Sequence, residues 1–232
     1  MPQLAIFFAQ PPQAIINNIV WVIGLALQLA LLIVLFRRHI ARRFPCFTIL
    51  IGFYLLRSAL LFISFGHIDA DDYQTLYSAL ILVDLLAQTA VAIELIHHLV
   101  RSLGGWTLRR SILPAIFLFL ASICTLFTAT LLPRYAPIPV DRTQLFFSFL
   151  MILLFAWAQS IPASSTIVRG ITSGFALYGI INISANLGRT FAALHKNPTL
   201  YATWSYALAA IYLLVVLFWL LTLKRPHNAT SV

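Results

Sequence analysis

The chain has 232 residues and a formal net charge of +9, with 61% of its residues hydrophobic and only 9% charged; its mean hydropathy is +0.94. A soluble domain of this size carries roughly a quarter charged residues, so here the apolar surface exceeds what one globule hides and the excess is expected to face lipid. The pI near 10.2 does not point to nucleic acid, because the arginines cluster at the ends of apolar stretches, which is the positive-inside bias of membrane proteins.

A helix needs about 20 mainly apolar residues to cross about 30 Å of hydrocarbon. Spans are predicted at about 14–36, 45–65, 73–100, 111–132, 143–161, 166–187 and 201–223. Each must be helical, since a segment alone in lipid has to satisfy its own backbone hydrogen bonds. Residues 1–18 carry no positive charge, and a basic cluster follows the first span. That order suits an uncleaved first span with its N-terminus outside rather than a secretory signal. Prolines mark boundaries at Pro45, Pro133, Pro162 and Pro198, and Pro114 is placed in the first turn of span four, where proline is tolerated. Cys46 and Cys124 fall on different spans, so a disulfide between them is not expected.

Counting Lys and Arg sets the orientation. With the N-terminus outside, inner segments hold Arg37, Arg38, Arg42, Arg43, Arg101, Arg109, Arg110, Arg169, Lys224 and Arg225. Outer segments hold only Arg134, Arg142, Arg189 and Lys196, and Arg57 stays within span two. The acidic loop His67-Ile-Asp-Ala-Asp-Asp72 lands outside; Asp71 or Asp72 is expected to cap span three, with Gln74 or Thr75 helping. Trp21, Trp157, Trp204 and Trp219 lie toward span ends, in aromatic-belt positions. Asn228-Ala-Thr230 matches a glycosylation pattern, but at a predicted inner location. The first three and last three spans show no matching polar pattern, so no internal repeat is expected and the chain reads as one membrane domain.

Ionisable residues within spans are the sharpest functional signals, since each costs several kcal/mol if unpaired in hydrocarbon. Arg57 lies roughly 18 Å along span two and Asp84 roughly 17 Å along span three. The two spans are antiparallel, so their depths nearly coincide and an ion pair is predicted. It either locks two helices or forms a ligand or proton site. On span three Asp84, Gln88, Val91, Leu95 and His98 share a face by their 3–4 spacing. Glu94 lies beside that face, with His97, His98 and Arg101 further along the helix. The cluster reads as a neutralised inner-leaflet group, with proton relay or metal binding as alternatives. Span six collects Ser165, Thr172, Ala176, Gly179, Asn182 and Asn186 on one face, with Gly170 and Gly174 at Gly-x-x-x-Gly spacing. Helix packing is the first reading of that face; the alternative is that Asn182 and Asn186 line a cavity, with Tyr178 nearby. Gln28, Gln144 and Ser148 are further intramembrane polar candidates.

Several activities are argued against. Lys196 and Lys224 are the only lysines and both lie at membrane edges, which leaves no Schiff-base site for retinal. His97 and His98 share one helix, whereas haem held between helices needs histidines on facing ones. No Gly-rich phosphate loop, His-Glu-x-x-His or Gly-x-Ser-x-Gly is present, and no cofactor is expected.

Tyr54-Leu-Leu-Arg-Ser58, Glu94-Leu-Ile-His97, Asp141-Arg-Thr143 and Gly174-Phe-Ala-Leu-Tyr-Gly179 resemble stretches of a family of small bacterial seven-span integral membrane proteins whose function is uncharacterised. The resemblance implies a seven-helix architecture and draws attention to Arg142, without supplying catalytic residues.

The expectation is therefore an all-α, seven-transmembrane-helix bundle in the bacterial inner membrane, N-terminus outside and C-terminus cytoplasmic. A non-enzymatic sensing, ligand-binding or helix-interaction module is favoured, with Arg57, Asp84, Gln88, Glu94, His98 and Asn182 as binding candidates. The expected partners are the lipid bilayer, a small or lipophilic ligand, and a partner membrane protein or second copy. The alternative is a small-molecule transporter or proton-coupled carrier using Arg57, Asp84 and Glu94.

Overall fold

A computed structural model describes residues 11–64, 69–104, 108–131 and 139–224; the side chains of 11–18, 70, 74, 108–111, 129–131 and 139–142 lie outside the description. The described residues form α-helices and no strand: α1 (Pro11–Arg37), the single-turn α2 (Ile40–Arg43), α3 (Pro45–Ser64), α4 (Ala70–Ser102), α5 (Leu108–Leu131), α6 (Pro139–Ser160), α7 (Thr166–Leu194) and α8 (Pro198–Lys224). Six of them, all but α2 and α5, are long and apolar enough to cross a membrane, and the described apolar part of α5, Ile112–Thr128, is shorter. Exposed Ile, Leu and Phe side chains cover the outside, among them Ile63 at 67% and Phe127 at 65%. An outward-facing apolar coat of this kind belongs to a multi-pass membrane protein, for which lipid rather than water is the solvent.

The helices form a ring in the order α1, α8, α7, α6, α4, α3, with α5 packed outside against α6. α4 rests chiefly on α3 and touches α6 and α7 more sparsely. The bundle has two unlike halves. Toward the end bearing Arg37, Arg101, Arg169 and Lys224, here the lower end, the interior is dry: Leu31, Leu35, Phe44, Phe47, Leu95, Leu99, Leu154 and Val216 are fully buried. The α1–α3 connection tucks into this half, with His39 in the left-handed region at φ 55° and Ile40 and Phe44 buried below it. The upper half, toward Ser64 and Leu194, holds a cavity.

α7 is the most enclosed of the six long apolar helices, because its glycines let neighbours approach closely. A Cβ on Gly174 would fall 2.2 Å from the Trp219 indole, one on Gly188 equally near Trp204, and one on Gly179 would sit 3.0 Å from the Ser148 carbonyl oxygen. The Trp219 indole N–H donates to the Ile171 carbonyl at 3.2 Å, so this ring cannot swing aside cheaply.

Several expectations are corrected. Trp157 and Trp219 are 8% and 2% exposed, hence core residues rather than an aromatic belt; Trp157 packs on Phe117 at 5.2 Å. Asp69 takes the N-cap position of α4 without a side-chain cap bond, and Asp71 and Asp72 lie in the first turn, where their charge complements the helix dipole. Pro114 sits seven residues into α5, a turn deeper than expected. α7 runs on to Leu194, past the boundary predicted near 187, because a membrane-edge helix tolerates Arg189 when its guanidinium finds acceptors. His67, the side chain of Gln74, Arg134 and Asn228–Thr230 lie outside the described residues.

Substitution at two glycines separates packing from propensity. Gly174→Ala is expected to destabilise by about 1–3 kcal/mol through overpacking against Trp219. Gly52→Ala, where nothing lies within 4 Å of the new methyl group, should be neutral or stabilising by up to about 1 kcal/mol. Thermal unfolding in detergent checks both.

Candidate functional site

The upper-half cavity measures about 470 Å3 and is walled by α3, α4, α6, α7 and α8. Helical spacing places its chemistry. On α4, Tyr77, Asp84 and Gln88 face inward; on α7, Tyr178, Asn182 and Arg189; on α8, Tyr212 and Trp219. The floor is aromatic: Phe47 meets Trp219 edge-on at 5.2 Å, and Phe175 meets Trp219 at 4.9 Å. Tyr77 and Ser78 at the rim are exposed. A smaller cavity of about 240 Å3 lies between α4 and α6 and shares Asp84, Gln88 and Gln144 with the main one.

The predicted ion pair is present. The Arg57 guanidinium donates to Asp84 Oδ2 at 3.0 Å, and its face lies 5.7 Å from the Tyr77 ring centroid. Asp84 Oδ1 accepts from Gln88 Nε2 at 3.0 Å, and the same amide nitrogen reaches the Tyr54 hydroxyl at 3.4 Å. This is the only ion pair among the described residues.

A second polar chain runs up the opposite wall. Asn182 Nδ2 donates to Ser148 Oγ at 2.9 Å, and Asn186 Nδ2 to Asn182 Oδ1 at 3.2 Å. Arg189 Nη2 then donates to Asn186 Oδ1 at 3.1 Å. Between the two walls Tyr54, Tyr212 and Tyr178 stand edge to face, 6.1 and 6.2 Å apart. Gln28, 2% exposed on α1, bonds the Tyr212 hydroxyl at 2.6 Å, and its amide oxygen is buried without a partner.

The six candidates thus divide. Arg57, Asp84, Gln88 and Asn182 converge on the cavity. Glu94 and His98 belong to the dry half and clamp a corner. Glu94 Oε1 and Oε2 accept the backbone N–H groups of Cys46 and Phe47, each at 3.0 Å, so a carboxylate from α4 caps the N-terminus of α3. His98 Nε2 bonds the Arg43 carbonyl at 3.0 Å and its ring stacks near Phe44 at 4.4 Å. Among the described residues Arg101 makes no salt bridge to Glu94, and no group of three or more His, Cys, Asp or Glu side chains there could hold a metal ion. Cys46 and Cys124 are free thiols. The Arg142 side chain lies outside the described residues.

Sequence reasoning passed over Tyr54, Tyr212, Trp219 and Arg189 as site residues. A signal for Arg189 existed: Gly179, Asn182, Asn186 and Arg189 continue one helical ladder past the boundary drawn for the span. Tyr212 and Trp219 likewise lie seven residues apart on α8, two turns along one face. No protein-family model, curated protein or solved structure is similar enough to this chain to count as a match.

Two predictions follow from these contacts. Arg57→Ala and Asp84→Ala should each destabilise by roughly 2–3 kcal/mol, because each strands a charge away from water, and the double variant should recover part of that loss. Glu94→Gln, with one acceptor oxygen in place of two, should cost about 1 kcal/mol, the scale of losing a helix cap. Denaturant unfolding in mixed micelles reads both, and a double variant as unstable as the sum of the singles would refute the pairing.

Proposed function

We propose that the chain crosses a bacterial inner membrane seven times, N-terminus outside and C-terminus cytoplasmic, and works as a non-enzymatic module that binds a small ligand in the upper cavity. The motif resemblance to small bacterial seven-span proteins is carried as part of this reading. Seven crossings are supported by the length of α5, whose 24 residues span about 36 Å at the helical rise. The orientation is supported by the gathering of Arg37, Arg38, Arg42, Arg43, Arg101, Arg169 and Lys224 near one end, which the positive-inside bias assigns to the cytoplasm. The upper cavity then faces outward.

The single observation that carries the reading is the cavity's form. It has the size of a small-molecule site and the usual mixture of aromatic walls with a few convergent polar groups. Below it, the Phe47–Trp219–Phe175 cluster and the buried residues of the lower half close the bundle. A non-enzymatic role is supported by the way its polar groups engage one another. Asp84 is held by Arg57 and Gln88, and Ser148 Oγ donates to the Gln144 carbonyl while accepting from Asn182. No nucleophile–base pair stands among those bonds.

Topology is checked by single cysteines in a cysteine-free background. Lys196→Cys should react with an impermeant maleimide in intact cells, and Arg42→Cys only after permeabilisation; the reverse pattern inverts the proposed orientation. Ligand binding without transport is checked in proteoliposomes. Compounds that raise the thermal stability of wild-type protein should lose that effect when Tyr212→Ala alters the wall, and should show no protein-dependent flux. Proton-coupled flux abolished by Glu94→Gln would establish a carrier instead.

A further inference from the structure

Resting on the reading of the upper cavity as a ligand site, we infer that its ligand is a small organic monoanion, a carboxylate on a compact apolar body, with the carboxylate at Arg57 and Arg189 and the body against the tyrosines and Trp219. Among the described side chains that line the cavity, Arg57 and Arg189 face one carboxylate, Asp84. Both Asp84 oxygens are already engaged, one by Arg57 and the other by Gln88. Arg189 is held by neutral acceptors alone, the Asn186 side-chain oxygen at 3.1 Å and the Ala185 carbonyl at 3.4 Å. The lining keeps one part-buried positive charge at its upper end, where partial burial still favours a neutralising partner. One negative charge offsets it, whereas a phosphate dianion would leave an excess.

Geometry agrees with charge. A guanidinium has five N–H donors in a planar fork matched to a carboxylate, and each arginine retains donors beyond the bonds it makes here. Arg57 stands seven residues from the upper end of α3 and Arg189 five from the upper end of α7, so both are at the same end of the cavity. Phe175 and Trp219 make the opposite end, with Tyr54, Tyr178 and Tyr212 between. A molecule with its head up and its body down meets donors first and aromatic faces last. Such an acid arrives either from water past the exposed rim at Tyr77 and Ser78 or from the bilayer through the α4–α6 cleft.

The test is a head-group series on one body, titrated calorimetrically into the full chain in lipid nanodiscs: 4-phenylbutyrate, 4-phenylbutanol and 4-phenylbutylamine. The acid should bind about tenfold or more tightly than the alcohol, as a charge-assisted bidentate contact implies, with the amine weakest. Arg189→Gln should bring the acid down to the alcohol's level, and Arg189→Lys should keep a preference for the acid. Asp141 lies near the upper end of α6 and its side chain is outside the described residues, so Asp141→Asn is included and should leave the preference in place. Alcohol or amine binding as well as the acid, a preference that survives Arg189→Gln, or one that appears only in Asp141→Asn overturns the inference. In each of those cases the cavity still binds a ligand; failure of all three probes to bind sinks both readings. Octanoate against octanol separates the sources: an Arg189-dependent preference there assigns the site to acyl acids from the bilayer as well, and its absence beside a phenylbutyrate preference assigns it to water-borne acids.

Discussion

A charge buried among apolar helices costs several kcal/mol unless an opposite charge meets it, and the bond between Arg57 and Asp84 is where this molecule meets that cost. The pair does more than neutralise itself. α4 makes its main contacts with α3 and only sparse ones with α6 and α7. Apolar packing holds the lower part of α4, where Val91, Leu95, Leu99 and Val100 are fully buried. Three polar ties along the α3 side add to it: Arg57 to Asp84 in the upper half, and in the lower half the Glu94 cap on α3 and His98 against the Arg43 carbonyl. A helix fixed on one side by charge and hydrogen bonds can stand away from the opposite wall. The cavity is the space this leaves.

The opposite wall is built by a different device. α7 carries glycine at its closest approaches to α6 and α8, so the α6 backbone comes near at Gly179 and the indoles of Trp219 and Trp204 lie over Gly174 and Gly188. In lipid, where apolar side chains gain little by leaving one another, close van der Waals packing and internal hydrogen bonds carry helix association. The bond from the Trp219 indole to Ile171 and the ladder from Ser148 through Asn182 and Asn186 to Arg189 supply those hydrogen bonds. This wall is held by close packing and a hydrogen-bond ladder rather than by an ion pair, and it faces the Arg57–Asp84 wall across the cavity.

Much of the architecture was legible from apolar length and proline punctuation, because a bilayer imposes one helix length on every span and demands that each satisfy its own backbone. The Arg57–Asp84 pair was legible because two antiparallel helices with a short connection share a depth scale, so counting residues measures height. The inward face of α4 was legible from spacing alone, with Asp84, Val91 and Leu95 all buried. What escaped depended on partners remote in sequence. No local pattern says that Glu94 will cap α3, since its partners are backbone N–H groups nearly fifty residues earlier. Trp219 looked like an interface anchor because belt and core tryptophans occupy the same sequence positions near a span end, and only the glycine across from it on α7 decides between them. From sequence Arg189 falls in a loop, because a charge commonly ends an apolar run, whereas its place on the Asn182–Asn186 ladder makes it part of the wall.

The division of the bundle bears on how the two intramembrane acids are used. Asp84 and Glu94 share α4 and lie ten residues apart, about 15 Å along the helix. Read as a line of residues they suggest a route across the membrane. Beside the lower acid, however, stands Phe47, packed edge to face on Phe175 and Trp219, and Glu94 itself fastens the backbone of Phe47. The lower acid thus helps hold shut the floor that the upper acid overlooks. α4 itself has no glycine or proline at mid-helix. The aromatic floor and the ties along α3 thus bound the cavity from below and from one side.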